Sequence, residues 1–264
     1  MRAEAEKSLL LGVSAMVERG DPALTTEQPY FASGYVGPLM VGCALRTPPY
    51  GLALSRWDNE KAIDALVRDV AFAYPDLPGA NGPEPTATAF AEKWTRHTGT
   101  TATLMQNQRI FELRSLTPPP NRPNGALRPA VDADVPLLVE WAVGFARDTK
   151  LPMHRSAPEL VADRLRQQSL YVWDNGAPVS MAAWTGKTPT GVRINFVYTP
   201  GGHRGRGYAS ACVAALTAQL LKEGNTFCSL YTDASNPTSN SIYQKLGYRP
   251  ICEVGMYGFG RPRA

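Results

Sequence analysis

Thr199-Pro-Gly-Gly-His-Arg-Gly-Arg-Gly-Tyr-Ala-Ser210 decides the fold. An apolar strand-like run, Ile194–Tyr198, feeds its Pro-Gly-Gly turn, and an alanine- and leucine-rich helix from about Ala209 to Lys222 follows the basic glycine loop. Free backbone N–H groups at a helix start and the positive end of the helix dipole attract anions, and glycines let phosphate oxygens come close. Arg204 and Arg206 add charge at the same place. The spacing therefore predicts a pyrophosphate cradle made of Arg204, Gly205, Arg206, Gly207, Tyr208 and Ala209, with Ser210 offering a hydroxyl in the first turn.

The chain around this stretch has 264 residues, long enough for two domains with cores of their own. It is 44% hydrophobic and 19% charged, an ordinary globular composition. No apolar run reaches the roughly 20 residues that span a bilayer, and the acidic start argues against a secretory signal, so neither membrane nor export is expected. Cys43, Cys212, Cys228 and Cys252 are scattered, without a CxxC pair or a histidine at ligand spacing. Free thiols in a reduced, cytoplasmic setting are expected, and no metal. Residues 1–126 hold 12 Lys and Arg against 13 Asp and Glu, whereas residues 127–264 hold 15 against 10. That excess suits a domain holding a polyanionic small molecule and is too small and too poor in interleaved aromatics for nucleic acid.

Thr117-Pro-Pro-Pro-Asn-Arg-Pro-Asn-Gly125 has four prolines and a glycine in nine residues, which no helix or central strand tolerates. It reads as a linker over 117–126 between a first domain, 1–116, and a second, 127–264. In the first, periodicity predicts a helix from Glu4 to Glu18, strands at 39–45 and 51–55, and a helix from Asn59 to Tyr74 capped by Asp58. A buried strand within 75–83, a helix over 86–96 and a hairpin-prone stretch over 101–116 follow. In the second, a strand at 127–130 precedes a helix capped by Asp132 and another starting at Ala157. Asn175-Gly176 between β-prone runs marks a hairpin, 170–173 with 179–184. Beyond the cradle helix come a strand at 227–232, a short helix at 239–246 and a closing hairpin or long strand at 248–259. The fold class is α/β in the broad α+β sense, each sheet mixed, mainly antiparallel and flanked by helices.

Arg204-Gly-Arg-Gly-Tyr-Ala209 fits R-x-x-G-x-A. Downstream, Asn236 is followed seven residues later by Tyr243, then by Gly247 and Tyr248. With this element order the two signatures make residues 127–259 resemble the GCN5-related N-acetyltransferase superfamily. No G-x-G-x-x-G with a following acidic residue points to a dinucleotide fold instead. The first domain repeats the element order, but Ser55-Arg-Trp-Asp-Asn-Glu60 stands where the cradle would be, with acids in place of glycines. It resembles the worn first copy of tandem members of that superfamily.

The resemblance implies acetyl-coenzyme A as acyl donor, with its pyrophosphate on the cradle and its pantetheine arm and thioester along Phe196, Val197 and Tyr198. There the strand is expected to splay from the 227–232 strand and offer a backbone oxyanion hole. It implies Asn236 as a pantetheine ligand, with helix capping as the competing reading, and Tyr243 as the acid that protonates the leaving thiolate. A coenzyme thiol resembles cysteine, with a pKa near 8.5 against about 10 for tyrosine. Many members carry a glutamate on the strand before the loop; here that strand offers Arg193 and Asn195. A relayed water, Asp148, Asp233, Glu253 or an already neutral amine remain open as the proton acceptor. His154 lies where relatives bind acceptors, His203 should flank the phosphates, and His97 has no assignable role.

The expected function is direct acetyl transfer to a primary amine in a ternary complex, by a monomer or homodimer. A small-molecule acceptor is favoured over a protein. The alternative is a non-catalytic acyl-coenzyme A sensor or interaction protein.

Overall fold

The structure, a computed structural model, describes residues 2–21, 24, 27–150, 153 and 155–260. In chain order the elements are α1 (Arg2–Glu6), α2 (Ser8–Glu18), β1 (Tyr30–Val36), β2 (Leu39–Arg46), β3 (Leu52–Leu54), α3 (Glu60–Ala73), β4 (Gly79–Pro83), α4 (Glu84–Thr98) and β5 (Thr101–Leu113). There follow β6 (Ala126–Pro129), α5 (Val135–Thr149), α6 (Ala157–Arg166), β7 (Leu170–Asp174), β8 (Pro178–Thr185), β9 (Gly191–Tyr198), α7 (Tyr208–Lys222), β10 (Phe227–Asp233), α8 (Pro237–Lys245) and β11 (Arg249–Gly260). None of the helices among the described residues is long and apolar enough to cross a membrane.

Two compact units form. One comprises residues 1–110, 233–235 and 251–264; the other comprises 111–232 and 236–250. The expected boundary thus differs from the observed one in two respects. The proline-rich stretch does not lie between the units but on the second: Trp173 Nε1 donates to the Asn124 carbonyl at 3.0 Å, Arg122 stacks over the Trp173 ring, and Thr117 N–H donates to Leu246 at 3.0 Å. Residues 251–260 close the first unit's sheet instead of the second's, through β11 pairing antiparallel with β4 from Val254↔Pro83 to Gly258↔Gly79.

In the first unit β1 pairs antiparallel with β2, β2 with β3, and β3 runs parallel to β4. Its core gathers Leu52, Leu54 and Trp57 with Ile63, Leu66, Val67 and Val70 from α3 and Phe90 and Trp94 from α4. Phe259 of β11 stacks on Trp94 at 5.4 Å. Strand β1 adds to the expected elements, and the strand-like, hairpin-prone stretch from Thr101 forms the single 13-residue strand β5 without a turn. Helix α3 is capped by Asn59, whose side chain accepts from Ala62 N–H, and not by Asp58.

In the second unit the strand order is β10-β9-β8-β7-β6, antiparallel except for the parallel β9/β10 pair. One core lies on the α7 side: Val192, Ile194, Cys212, Val213, Leu216, Leu220, Leu230 and Tyr248, joined by Phe111 and Leu113 from the end of β5. The other lies on the α5 and α6 side: Leu138, Trp141, Val161, Leu170, Val172, Met181, Phe196 and Tyr198. Each face of this sheet thus meets a helix layer. Asp132 caps nothing; it starts a short 3-10 turn, and Asp134 accepts the Val131 N–H and holds Arg128. Ser156 and Glu159 form a reciprocal cap at the start of α6.

Candidate functional site

The stretch 199–210 is a loop that leads directly into α7. Gly205 and Gly207 have φ of +76° and +80°, the left-handed region that costs a side chain about 1–2 kcal/mol. Gly207 is the N-cap of α7 and no side chain caps the helix; the first bond of the ladder runs from Ala211 N–H to the Gly207 carbonyl at 3.0 Å. The N–H groups of Tyr208, Ala209 and Ser210 therefore lie ahead of the hydrogen-bonded ladder, at the positive end of the 15-residue α7. Tyr208 is buried and its hydroxyl accepts from Asn175 Nδ2 at 3.1 Å, which anchors the helix start on the hairpin turn.

The two arginines differ. Arg204 donates from Nη2 to Asp148 at 2.5 Å and from Nε to the Thr199 carbonyl at 2.9 Å. Arg206 is exposed and makes no ion pair among the described residues, so its charge is uncommitted. His203 packs edge-on to Tyr208 at 6.2 Å, beside the cradle.

Strand β9 changes its pairing after Ile194. Its parallel register with β10 runs from Gly191↔Phe227 to Ile194↔Leu230 and stops there. On the other edge Ala183 faces Asn195 and Met181 faces Tyr198, so three steps on β9 oppose two on β8. This is a β-bulge, and Phe196 absorbs it at φ +55°. The bulge reverses the alternation: Val192 and Ile194 face α7, whereas Phe196 and Tyr198 face α5 and α6. A non-glycine residue there costs about 1–3 kcal/mol. Phe196 is held by burial and by an edge contact to Phe145 at 5.1 Å. Backbone groups between Asn195 and Tyr198 are thereby released from β10 at the end of β9 nearest the cradle.

Tyr243 on α8 is buried in the α7-side core, with its ring 6.2 Å from Phe111 and 6.0 Å from Tyr248, and burial pushes its hydroxyl up to about 12. Asn236 caps α8: its side chain accepts from Ser239 N–H at 3.1 Å, and its carbonyl accepts from Asn240 Nδ2 at 2.7 Å. Cys212 and Cys228 are buried and pushed up to about 12 by desolvation, which makes them inert as nucleophiles.

Each carboxylate named as a proton acceptor has a partner in the fold. Asp148 is held below the usual carboxylate range by Arg204 and Arg147. Asp233 and Glu253 belong to the first unit, where Asp233 accepts from Ser235 and Glu253 pairs with Arg109 at 2.6 Å. His154 lies outside the described residues. No cluster of three or more His, Cys, Asp or Glu among the described residues is arranged to hold a metal ion.

In the first unit the equivalent place is shut. Asn59 caps α3 and Glu60 adds an acid to its first turn. Trp57 lies so close over Gly34 and Gly42 that a Cβ at either would stand 2.4 and 2.3 Å from its ring. Its Nε1 donates to the Cys43 carbonyl at 3.1 Å and its N–H to Thr86 at 2.9 Å. A capped, acidic helix start behind a packed indole repels phosphate.

Residues 172–255 match the family model described as FR47-like protein. Over its length the chain is similar to the solved structure of a GCN5-related N-acetyltransferase from Kribbella flavida, with 16% identity, 100% of this chain and 96% of that one covered, and a TM-score of 0.66. It is similar to a GCN5-related N-acetyltransferase from Sphaerobacter thermophilus, at 16% identity, 100% and 94% coverage and a TM-score of 0.60. It is also similar to a tandem GNAT protein from the clavulanic acid biosynthesis pathway, at 11% identity, 98% and 94% coverage and a TM-score of 0.56. No curated protein sequence matches it. Over its length the chain has the fold of these GCN5-related N-acetyltransferases, and residues 172–255 match the FR47-like model.

Proposed function

We propose, from that fold and from the cradle in its second half, that the chain is an N-acetyltransferase using acetyl-coenzyme A as donor and a primary amine as acceptor. The observation that carries the reading is the uncapped start of α7 behind Gly205 and Gly207, next to a strand that is both bulged and splayed. An anion site and a line of free backbone groups leading away from it suit a diphosphate with a long amide-bearing arm. The coenzyme supplies the activated acyl group.

The chain's own part is mainly positioning and electrostatics. The N–H groups of 208–210 and the Arg206 guanidinium hold phosphate. Arg204, tied to Asp148, shapes the loop. Backbone N–H groups released at Phe196–Tyr198 stabilise the oxyanion as the amine attacks. Tyr243 stays protonated and donates a hydrogen bond to the departing sulfur. Full transfer from a hydroxyl near 12 to a thiolate near 8.5 is uphill by about 4–5 kcal/mol, so the stabilising effect is the hydrogen bond and the final proton comes from solvent. With Asp148 ion-paired and β9 bearing no carboxylate, the attacking amine enters neutral or loses its proton to water.

That missing carboxylate favours one second reading, an acyl-coenzyme A sensor. A thiol-release screen over amine classes, run beside calorimetry with acetyl-coenzyme A, separates the two. Thiol release with any amine supports the transferase, and binding without release across the panel supports the sensor.

A further inference from the structure

Strand β9 presents basic and amide side chains on its α5–α6 face just before the bulge. Arg193 is the register partner of Ser229 on the parallel strand β10, so both side chains lie on that face, and Asn195 follows two residues on. Parallel pairing aligns side chains of partnered residues, and strand alternation returns every second one to the same side. Arg193 Nε, Ser229 Oγ and Asn195 Oδ1 are each buried without a hydrogen-bond partner among the described residues. Arg164 of α6 reaches the same place: its guanidinium stands 5.9 Å over the Phe196 ring and donates to the Trp184 carbonyl at 3.0 Å. Arg193 lies 5.3 Å over the Tyr231 ring.

Neither arginine has a carboxylate within salt-bridge distance among the described residues. The nearby Asp163 is spent on Arg155 and Arg166. Burial, then repulsion from Arg193 and Arg155, pushes Arg164 down to about 10, and burial lowers Arg193 against a hydrogen bond with Tyr231. Two desolvated cations without a counter-ion are costly unless an anion arrives to pair with them. Cradle and arginines belong to different faces: α7 packs against the side of β9 that carries Val192 and Ile194. The coenzyme phosphates are therefore not that anion.

We infer that Arg193 and Arg164 bind the carboxylate of the acceptor and that Asn195 Oδ1, beside the bulge, accepts a hydrogen bond from its amine, so that the acceptor is an amino acid or an amino-acid-like amine. This rests on the acetyltransferase reading above. The guanidinium forks match a planar carboxylate, and the amide oxygen is the acceptor a neutral amine needs. Distance along β9 separates the two ends of the acceptor, with the amine at Asn195 next to the thioester line and the carboxylate toward Arg193.

The test compares amino acids with their carboxamides in thiol release, for the natural protein, Arg193→Met, Arg164→Met and Arg193→Lys. Retained acetyl-coenzyme A affinity reports that each variant is folded. The expected result is a preference of at least about 100-fold in kcat/KM for carboxylates. Either Met variant should erase it, chiefly by raising KM for the carboxylate acceptor, and Arg193→Lys should recover part of it. Equal use of both acceptor classes, or a preference that survives Arg193→Met, overturns the inference while the transferase reading stands. Loss of coenzyme affinity in Arg193→Met with the thermal unfolding curve of the natural protein retained overturns it too, by assigning the arginine to the phosphates. If no amine releases thiol, a thermal-shift titration with N-acetyl amino acids decides: stabilisation that is lost in Arg193→Met supports the anion site, and no stabilisation overturns it.

Discussion

Arg204 donates to Asp148 Oδ2 at 2.5 Å, so the first arginine of the cradle is bound to the end of α5 before any anion arrives. Arg206, two residues on, is exposed and uncommitted. The two substitutions should therefore fail differently. Arg206→Ala should weaken acetyl-coenzyme A binding about 5- to 10-fold at low salt, with the loss shrinking at high ionic strength as a screened charge does. Arg204→Ala and Asp148→Asn should give matching losses that change little with salt, because both loosen the same loop. Calorimetry at two salt concentrations reads this.

The same pair sets a pH dependence. Arg204 and Arg147 lower the Asp148 carboxyl in the folded state, so its contribution is complete above its unfolded value, about 3.9, and is lost as pH falls through the lowered one. The pair is partly exposed and contributes at most about 1 kcal/mol. Denaturation curves of the natural protein and Asp148→Asn should differ at pH 7 and converge below pH 4.

Tyr243→Phe should keep coenzyme affinity and reduce kcat about 10- to 100-fold, the modest effect expected when the leaving group is a thiolate. Because burial raises the hydroxyl to about 12, no limb of the rate profile between pH 6 and 10 should belong to it. A basic limb in that range that disappears in Tyr243→Phe would contradict the assignment. Folded stability should also fall as pH rises from 10 towards 12, with a shallower slope in the variant.

Transfer should be direct. Cys212 and Cys228 are buried thiols raised to about 12, unsuited to carrying an acyl group. Intact mass after incubation with acetyl-coenzyme A alone should show no added acetyl group on either residue, and Cys228→Ala should retain turnover.

The loop and the start of α7 were legible because their determinants are local: glycines that take positive φ, and a helix that begins directly after them. The same holds for the Asn175-Gly176 hairpin and for Asn236, whose capping role competed with a ligand role and is the one its side chain fills. Phe196 carries no such signal. Nothing about a phenylalanine announces φ +55°, which is imposed by β8 and by Phe145. Strand β1 leaves a weak signal in the sequence because its burial is partial and its partner β2 lies beyond a turn. That residues 251–260 complete the first unit depends on pairing with β4, far away in sequence. Ion pairs such as Arg204 with Asp148, 56 positions apart, follow from the fold and could not precede it.

The most direct measurement is a calorimetric titration of the natural protein and Gly207→Glu with acetyl-coenzyme A. Gly207 has φ +80° and stands at the uncapped start of α7, so a glutamate there strains the turn and sets a negative charge against the phosphates. The expected result is one coenzyme per chain, since Trp57 and Asn59 shut the other half, with at least a 100-fold loss of affinity in Gly207→Glu. Absence of binding, two coenzymes per chain, or binding indifferent to Gly207→Glu would contradict the cradle as the coenzyme site.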